Sequence, residues 1–146
     1  MSDAKRTEAP AETPGFLLWR VSNAWQRALR GALQPYGITH AQFVVLATLS
    51  WVSGEATAKQ HQIAGLCGMD PMTTSQVARS LERRDLVRRQ PHPDDGRAFS
   101  LALTQKGRRT VTRALPAVRQ VESTFFGPVV RQQRSLVTAL TVLAGA

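Results

Sequence analysis

Thr73, Ser75, Gln76, Arg79, Ser80 and Arg83 crowd one short stretch of this chain, and each can donate or accept hydrogen bonds. Thr74, Val77, Ala78 and Leu81 interleave with them at the three- and four-residue spacing of a buried helical stripe. That pattern predicts a helix with the polar set turned outward. Base edges in the major groove of duplex DNA present donors and acceptors to such a face, so Thr73, Ser75, Gln76 and Arg79 are candidate base readers. Further on, Asp95 and Arg97 flank Gly96 in a turn-rich segment. A guanidinium at a turn tip can enter a narrow A·T-rich minor groove, where negative potential concentrates. Asp95 is spaced to hold it through a charge-assisted pair.

These side chains need elements to carry them. A short helix fits Lys59 to Leu66, with Ile63, Ala64, Leu66 and Cys67 apolar, and Gly68 breaks it. Asp70 suits an N-cap and Pro71 the first helical position, so a second helix starts there and runs to about Arg84. Leu86 to Gln90 and Ala98 to Leu103 read as two strands. Between them Pro91 and Pro93 cannot donate to a ladder, which predicts an extended tip outside the sheet. Helix, turn, helix and basic hairpin form the outline of a winged helix-turn-helix. In that outline Arg83, Arg88, Arg89 and Lys106 are candidate phosphate neutralisers.

The flanks are helical in pattern. Residues 1–14 are rich in proline and charge without period, and are expected to be a disordered tail. Leu18, Val21, Trp25, Leu29 and Leu33 mark a stripe from Phe16 to Leu33, which Phe16, Leu17, Trp19 and Ala28 widen beyond what one neighbour covers. Gln34-Pro35-Tyr36-Gly37 ends it. Thr39 can cap a second helix, whose core face is Phe43, Leu46, Ala47 and Leu49 to Trp51, before a loop through Ser53-Gly54-Glu55. Thr104 can cap a long helix carrying Val111, Ala114, Leu115, Val118, Val121 and Phe125, which Pro116 should kink or break. Gly127-Pro128 ends that helix, and a last one is predicted from Val129 to about Leu143. Its apolar strip, like the wide arc of the first helix, is best covered by a second copy, so the expected assembly is a C2 dimer built from both chain ends. The fold class is mainly α, with the wing hairpin as its small β element.

Bulk properties agree. The 146 residues make one domain and carry a formal charge of +9. From Lys59 to Arg113, eleven Lys or Arg face five Asp or Glu, a surplus of six concentrated on the winged segment. The N-terminus lacks the apolar stretch of a signal peptide, no run is long and apolar enough to span a membrane, and a lone cysteine suits a reducing compartment. A cytoplasmic location is expected. Cys67 reads either as a redox thiol or as a small core hydrophobe. His40, His61 and His92 are too scattered to form a local metal pair, and no cofactor is implied. An acid–base pair of His92 with Asp94 or Asp95 would sit on a solvent-washed tip, so catalysis is rejected.

Ile63-Ala64-Gly65-Leu66, Thr73-Thr74-Ser75-Gln76-Val77 and Leu81-Glu82-Arg83-Arg84-Asp85-Leu86-Val87-Arg88-Arg89 resemble the MarR family of bacterial transcriptional regulators. Pro93-Asp94-Asp95-Gly96-Arg97-Ala98, followed by Leu103-Thr104-Gln105-Lys106-Gly107, is similar to that family's wing and the start of its next helix. The resemblance covers nearly everything beyond residue 15. It implies a single domain over 15–146, with dimerisation helices at 16–34 and 104–145 and a DNA-binding lobe at 38–103. It further implies a homodimer on a pseudo-palindromic operator, giving repression or activation that small ligands, often aromatic anions, or oxidants switch. The reading taken from it is a repressor released by a small aromatic ligand. Trp19, Trp25, Tyr36, His40 and Trp51 lie on the helices that border the ligand cleft in similar proteins, near Arg20 and Arg27. Three positions depart from the family pattern. Asp85 replaces a glycine in a turn that needs a left-handed residue, which Asp tolerates. Gln76 replaces an arginine and suits adenine better than guanine. Gly96 replaces an arginine and removes one phosphate contact. A ligand-independent regulator and a winged-helix protein-interaction module remain as alternatives.

Overall fold

The computed structural model describes residues 13–53 and 57–145. Helix α1 spans Pro14–Leu33, with Thr13 as N-cap accepting the Phe16 N–H at 3.4 Å and Pro14 in the first turn. The predicted tail of 1–14 is therefore too long by two residues, because Thr13-Pro14 is a start signal of its own. The rest of that tail lies outside the described residues. A 3-10 turn at Gln34–Tyr36 and a left-handed Gly37 (φ 65°) lead into α2, His40–Ser53. Thr39 caps α2 reciprocally: its hydroxyl accepts the Gln42 N–H at 3.1 Å, and the Gln42 side-chain oxygen accepts the Thr39 N–H at 3.0 Å.

The lobe continues with β1 (Ala58–Lys59), α3 (Gln60–Cys67), α4 (Pro71–Arg83), β2 (Val87–His92) and β3 (Asp95–Leu103). Strand β1 has no counterpart among the sequence expectations. It adds to the hairpin to give a three-stranded antiparallel sheet in the order β1-β3-β2, with Ala58 opposite Leu101 and Lys59 opposite Ser100. Two residues ahead of a helix are too short for a sequence period, so only the tertiary pairing shows them. The tip is also tighter than expected, because Pro91 pairs with Phe99 and His92 with Asp95. Proline is tolerated there because β2 is an edge strand, and a register shift between Pro91 and His92 absorbs the misfit. Leu33, Val45, Leu46, Leu49, Ile63, Ala78, Leu81, Leu86, Leu101 and Ala114 close one core between these elements. Trp51, expected at that core, is 81% exposed at the end of α2.

Helix α5 spans Gln105–Phe126, with Thr104 accepting the Gly107 N–H at 2.9 Å. It runs through Pro116 without a break. Proline removes one helical hydrogen bond, its ring lies on the exposed side, and Ala114, Leu115 and Val118 anchor the helix to the core on either side of it. A 3-10 segment, Gly127–Gln132, then precedes α6, Gln133–Ala144. The last helix thus starts four residues later than expected, since the stretch behind Pro128 winds more tightly. Helix α6 buries no residue, and Val130, Val137, Leu140, Val142 and Leu143 are exposed along this end.

Candidate nucleic-acid interface

Helix α4 is built to start sharply. The Asp70 carboxylate accepts the Thr73 N–H at 2.8 Å and also the Thr73 hydroxyl, and the Thr74 hydroxyl donates to the Asp70 carbonyl at 2.9 Å. The Thr73 side chain, then its N–H, hold the Asp70 carboxyl below the usual carboxylate range. Thr74, Ala78 and Leu81 are buried as predicted, which turns Thr73, Gln76, Arg79 and Arg83 to the exposed face. Ser75 is half-buried on its flank. Ser80 is not on the reading face: its hydroxyl accepts the Gln42 amide at 2.7 Å.

Gln42 is the group that sequence reasoning missed. Only 7% exposed, it caps α2, donates to Ser80 and accepts from Arg84 Nη1 at 3.1 Å, so one amide binds the start of α2 to the far end of α4. The Thr39-x-x-Gln42 capping pattern was legible, but its reach across to α4 was not. At the end of α4, Asp85 takes the left-handed conformation (φ 57°), as its replacement of glycine required. The next element locks onto that turn. Thr104 donates to the Asp85 carbonyl at 2.6 Å and Lys106 Nζ to the Arg84 carbonyl at 2.9 Å. Gly107 lies so close to Leu86 that an added Cβ would stand 1.9 Å from its carbonyl oxygen. This is the physical content of Leu103-Thr104-Gln105-Lys106-Gly107: a core residue, a cap, a tie and a close approach.

The wing corrects one assignment. Asp95 accepts the backbone N–H of Arg97 at 3.1 Å, so its carboxylate shapes the turn instead of gripping the guanidinium. The Arg97 side chain is left exposed near the tip, where His92 Nδ1 accepts the Asp94 N–H at 3.2 Å. Arg88 and Arg83 are exposed, and Lys106 is exposed while tied to α4. Arg89 is half-buried: its Nε donates to Gln60 Oε1 at 3.0 Å and its guanidinium lies 3.4 Å above the Phe99 ring centre.

The five cleft candidates do not converge. Trp25 Nε1 donates to Glu122 Oε1 at 2.7 Å, and the ring meets His40 edge-on with centroids 5.1 Å apart. Burial lowers the His40 pKa, opposed by the Glu122 charge. Glu122 was not singled out in the sequence, because nothing local marks a carboxylate ninety-seven residues away as the indole's partner. Trp25 and Glu122 also border a cavity of about 770 Å³, walled by Leu18, Val21, Phe125, Leu136 and Leu140 among others. Trp19 belongs to an adjoining hollow with Arg20 and Arg27, Tyr36 packs against the lobe core, and Trp51 points to solvent. Cys67 is half-buried, with its thiol 3.4 Å from the Thr48 hydroxyl, and packs on the core in the manner of a small hydrophobe. Among the described residues no helix is long and apolar enough to cross a membrane.

A capped helix with a polar outer face, packed against a basic three-stranded wing, defines a winged helix-turn-helix protein. The sequence profile of the MarR family matches residues 38–99. The HTH-type transcriptional regulator YdcH of Bacillus subtilis is 34% identical over 128 residues, 87% of each chain. The transcriptional repressor CouR, known from Rhodococcus jostii RHA1, superimposes in its complex with a 23-mer DNA duplex at a TM-score of 0.80 and 27% identity, covering 99% of this chain and 100% of that one. BpsR of Bordetella bronchiseptica, whose DNA binding is regulated by 6-hydroxynicotinic acid, gives 0.84 at 25% identity, covering 93% and 96%. The chain belongs to the MarR family and is a DNA-binding transcriptional regulator, not an enzyme.

Proposed function

We propose that this regulator is a cytoplasmic repressor that binds a pseudo-palindromic operator as a homodimer, with two α4 helices in successive major grooves about 34 Å apart. The observation that carries this reading is the exposed row Thr73, Gln76, Arg79 and Arg83 on a helix packed against an Arg97-tipped wing. Thr73, Ser75, Gln76 and Arg79 read bases, Arg97 enters the minor groove, and Arg83, Arg88 and Lys106 neutralise phosphates. Thr73 keeps hydroxyl lone pairs for a base amino group, since its proton is spent on Asp70. The DNA-bound form of CouR supports the binding mode. The exposed apolar residues of α1 and α6 support the dimer. CouR has also been solved with p-coumaroyl-CoA, and BpsR responds to 6-hydroxynicotinic acid. We therefore assign a small aromatic ligand to the region where Trp25 and His40 meet; it releases the operator by altering the spacing of the two lobes.

A gel shift against the region upstream of its own gene tests this. Arg97→Ala should bind about tenfold more weakly, with a thermal midpoint equal to wild type, because its side chain is exposed at the wing tip. Equal binding by both proteins, without sequence preference, overturns the wing assignment. Thermal-shift screening with aromatic carboxylates, followed by displacement from the same duplex, tests the release step, and no shift at millimolar ligand refutes it.

A further inference from the structure

Arg88 and Arg89 are neighbours on the edge strand of the wing, and strand alternation sends them to opposite faces. Arg88 is exposed. Arg89 turns toward the helices, where three elements meet its side chain. Phe99, opposite Pro91 in the ladder and so diagonal to Arg89, offers its ring face at 3.4 Å. Gln60, the first residue of α3, takes its Nε–H at 3.0 Å. Arg79 and Glu82 of α4 act on its charge with opposite signs; burial and then Arg79 lower its pKa, and Glu82 opposes them. One face and one edge of the guanidinium are thereby used inside the protein, and both would have to be released for it to swing out to a DNA backbone.

We propose that Arg89 is a positioning residue of the wing: clamped between Gln60 and Phe99, it sets the angle of the hairpin to α3 and α4, and so the distance from Arg97 to the reading face. The inference rests on the DNA-binding reading given above. It separates two adjacent arginines into different jobs, with Arg88 meeting phosphate and Arg89 holding the frame. Lysine cannot replace Arg89 in this role, since it lacks the planar fork and the Nε donor. It would replace a phosphate neutraliser well.

Wild type, Arg89→Lys, Arg89→Met and Phe99→Leu are titrated with the upstream duplex and with a shuffled duplex of equal composition, over a range of salt. Arg89→Lys and Phe99→Leu should each lower the preference for the upstream duplex about tenfold, with shuffled-duplex affinity and salt slope unchanged. Amide exchange across residues 87–103 should quicken in both variants without DNA, while α5 keeps its protection. If Arg89→Lys binds as wild type, and Arg89→Met alone weakens binding with a salt slope reduced by about one, Arg89 is a phosphate contact and the proposal falls. If wild type itself makes no distinction between the duplexes, the DNA reading fails separately. Wing exchange then still decides the clamp, and an unchanged rate in Arg89→Lys overturns it.

Discussion

The winged lobe and the two chain ends bury their apolar side chains by different means. Among the described residues every buried side chain lies between Leu29 and Ala114, so the lobe closes its core with the adjoining ends of α1 and α5. Phe16, Leu17, Leu18, Trp19 and Val21 on α1, and Val129, Val130, Val137, Leu140, Val142 and Leu143 around α6, are exposed. These eleven outnumber the five exposed large hydrophobics elsewhere among the described residues. One isolated surface leucine means little, but a set concentrated on two terminal elements is what the proposed homodimer interface requires. The lesson is a division of labour. Polar ties such as Gln42 to Ser80 and Lys106 to the Arg84 carbonyl brace the lobe as a reader, and in the proposed homodimer the ends set how two readers are spaced.

The sharpest way to break that comparison is to attack the lobe at its tightest joint. Gly107→Ala pushes a methyl group into the Leu86 carbonyl, which is backbone and cannot swing aside. Helix α5 must lift, and the Thr104 and Lys106 ties to the preceding turn go with it. A loss of about 2–4 kcal/mol is expected in chemical denaturation, with the whole lobe affected. Near-wild-type stability would mean that the lobe is a loose body and not a rigid reader. The ends should answer differently. Leu140→Glu places a charge on the exposed apolar face of α6 and should weaken self-association on the order of 100-fold or more, seen by sedimentation, while helicity and the lobe's exchange protection persist. If it unfolds the lobe as Gly107→Ala does, the two regions are one cooperative unit and the division is wrong.

How much of this was readable in the chain follows the same line. Within the lobe, local signals settled the outcome: Asp70-Pro71 started α4, Gly68 ended α3 with φ 63°, and Thr74, Ala78 and Leu81 were buried where the helical period put them. The failures came where geometry across the fold overrode a local rule. Ser80 sat on the polar side of α4 by period, yet Gln42 drew it inward. Asp95 had the charge for the Arg97 side chain, but its carboxylate accepts the Arg97 backbone N–H instead. The aromatic candidates share closeness to the chain ends or to α2, yet Trp51 faces solvent while Trp19 and Trp25 line two different hollows that adjoin along Leu17, Val21 and Phe125. No spacing rule reports which of three tryptophans will meet a histidine from another helix.

The lobe's inner tie between α2 and α4 should also respond to a gentler change. Gln42→Leu keeps the volume but removes the cap of α2 and leaves the Ser80 hydroxyl and one Arg84 donor without their buried partner. A loss of about 1–3 kcal/mol is expected, together with weaker operator binding, since α4 loses its tie to α2. Ser80→Ala removes one bond of the set and should cost less. If Gln42→Leu costs nothing, the polar ties do not stiffen the lobe and its apolar core does all the work.

The smallest expected effect lies at the point where α1, α2 and α5 meet, through Trp25, His40 and Glu122. Burial holds the folded-state pKa of His40 below 6.5, so the native protein prefers the neutral ring. The unfolded chain therefore binds more protons below that value, and stability is full above about pH 6.5 and declines as pH falls through the folded-state pKa. Glu122 limits the decline, because its charge favours the imidazolium. Thermal midpoints measured from about pH 7.5 to about pH 5.5 should fall for wild type and fall less for His40→Gln, in which nothing titrates at that position. Glu122→Gln should steepen the wild-type decline by removing the compensating charge, while its side-chain oxygen can still accept the Trp25 N–H. Should Glu122→Gln flatten the profile instead, His40 is held in its charged form, and the contact between the reader and the spacing helices is an ion pair, not a neutral edge-on stack.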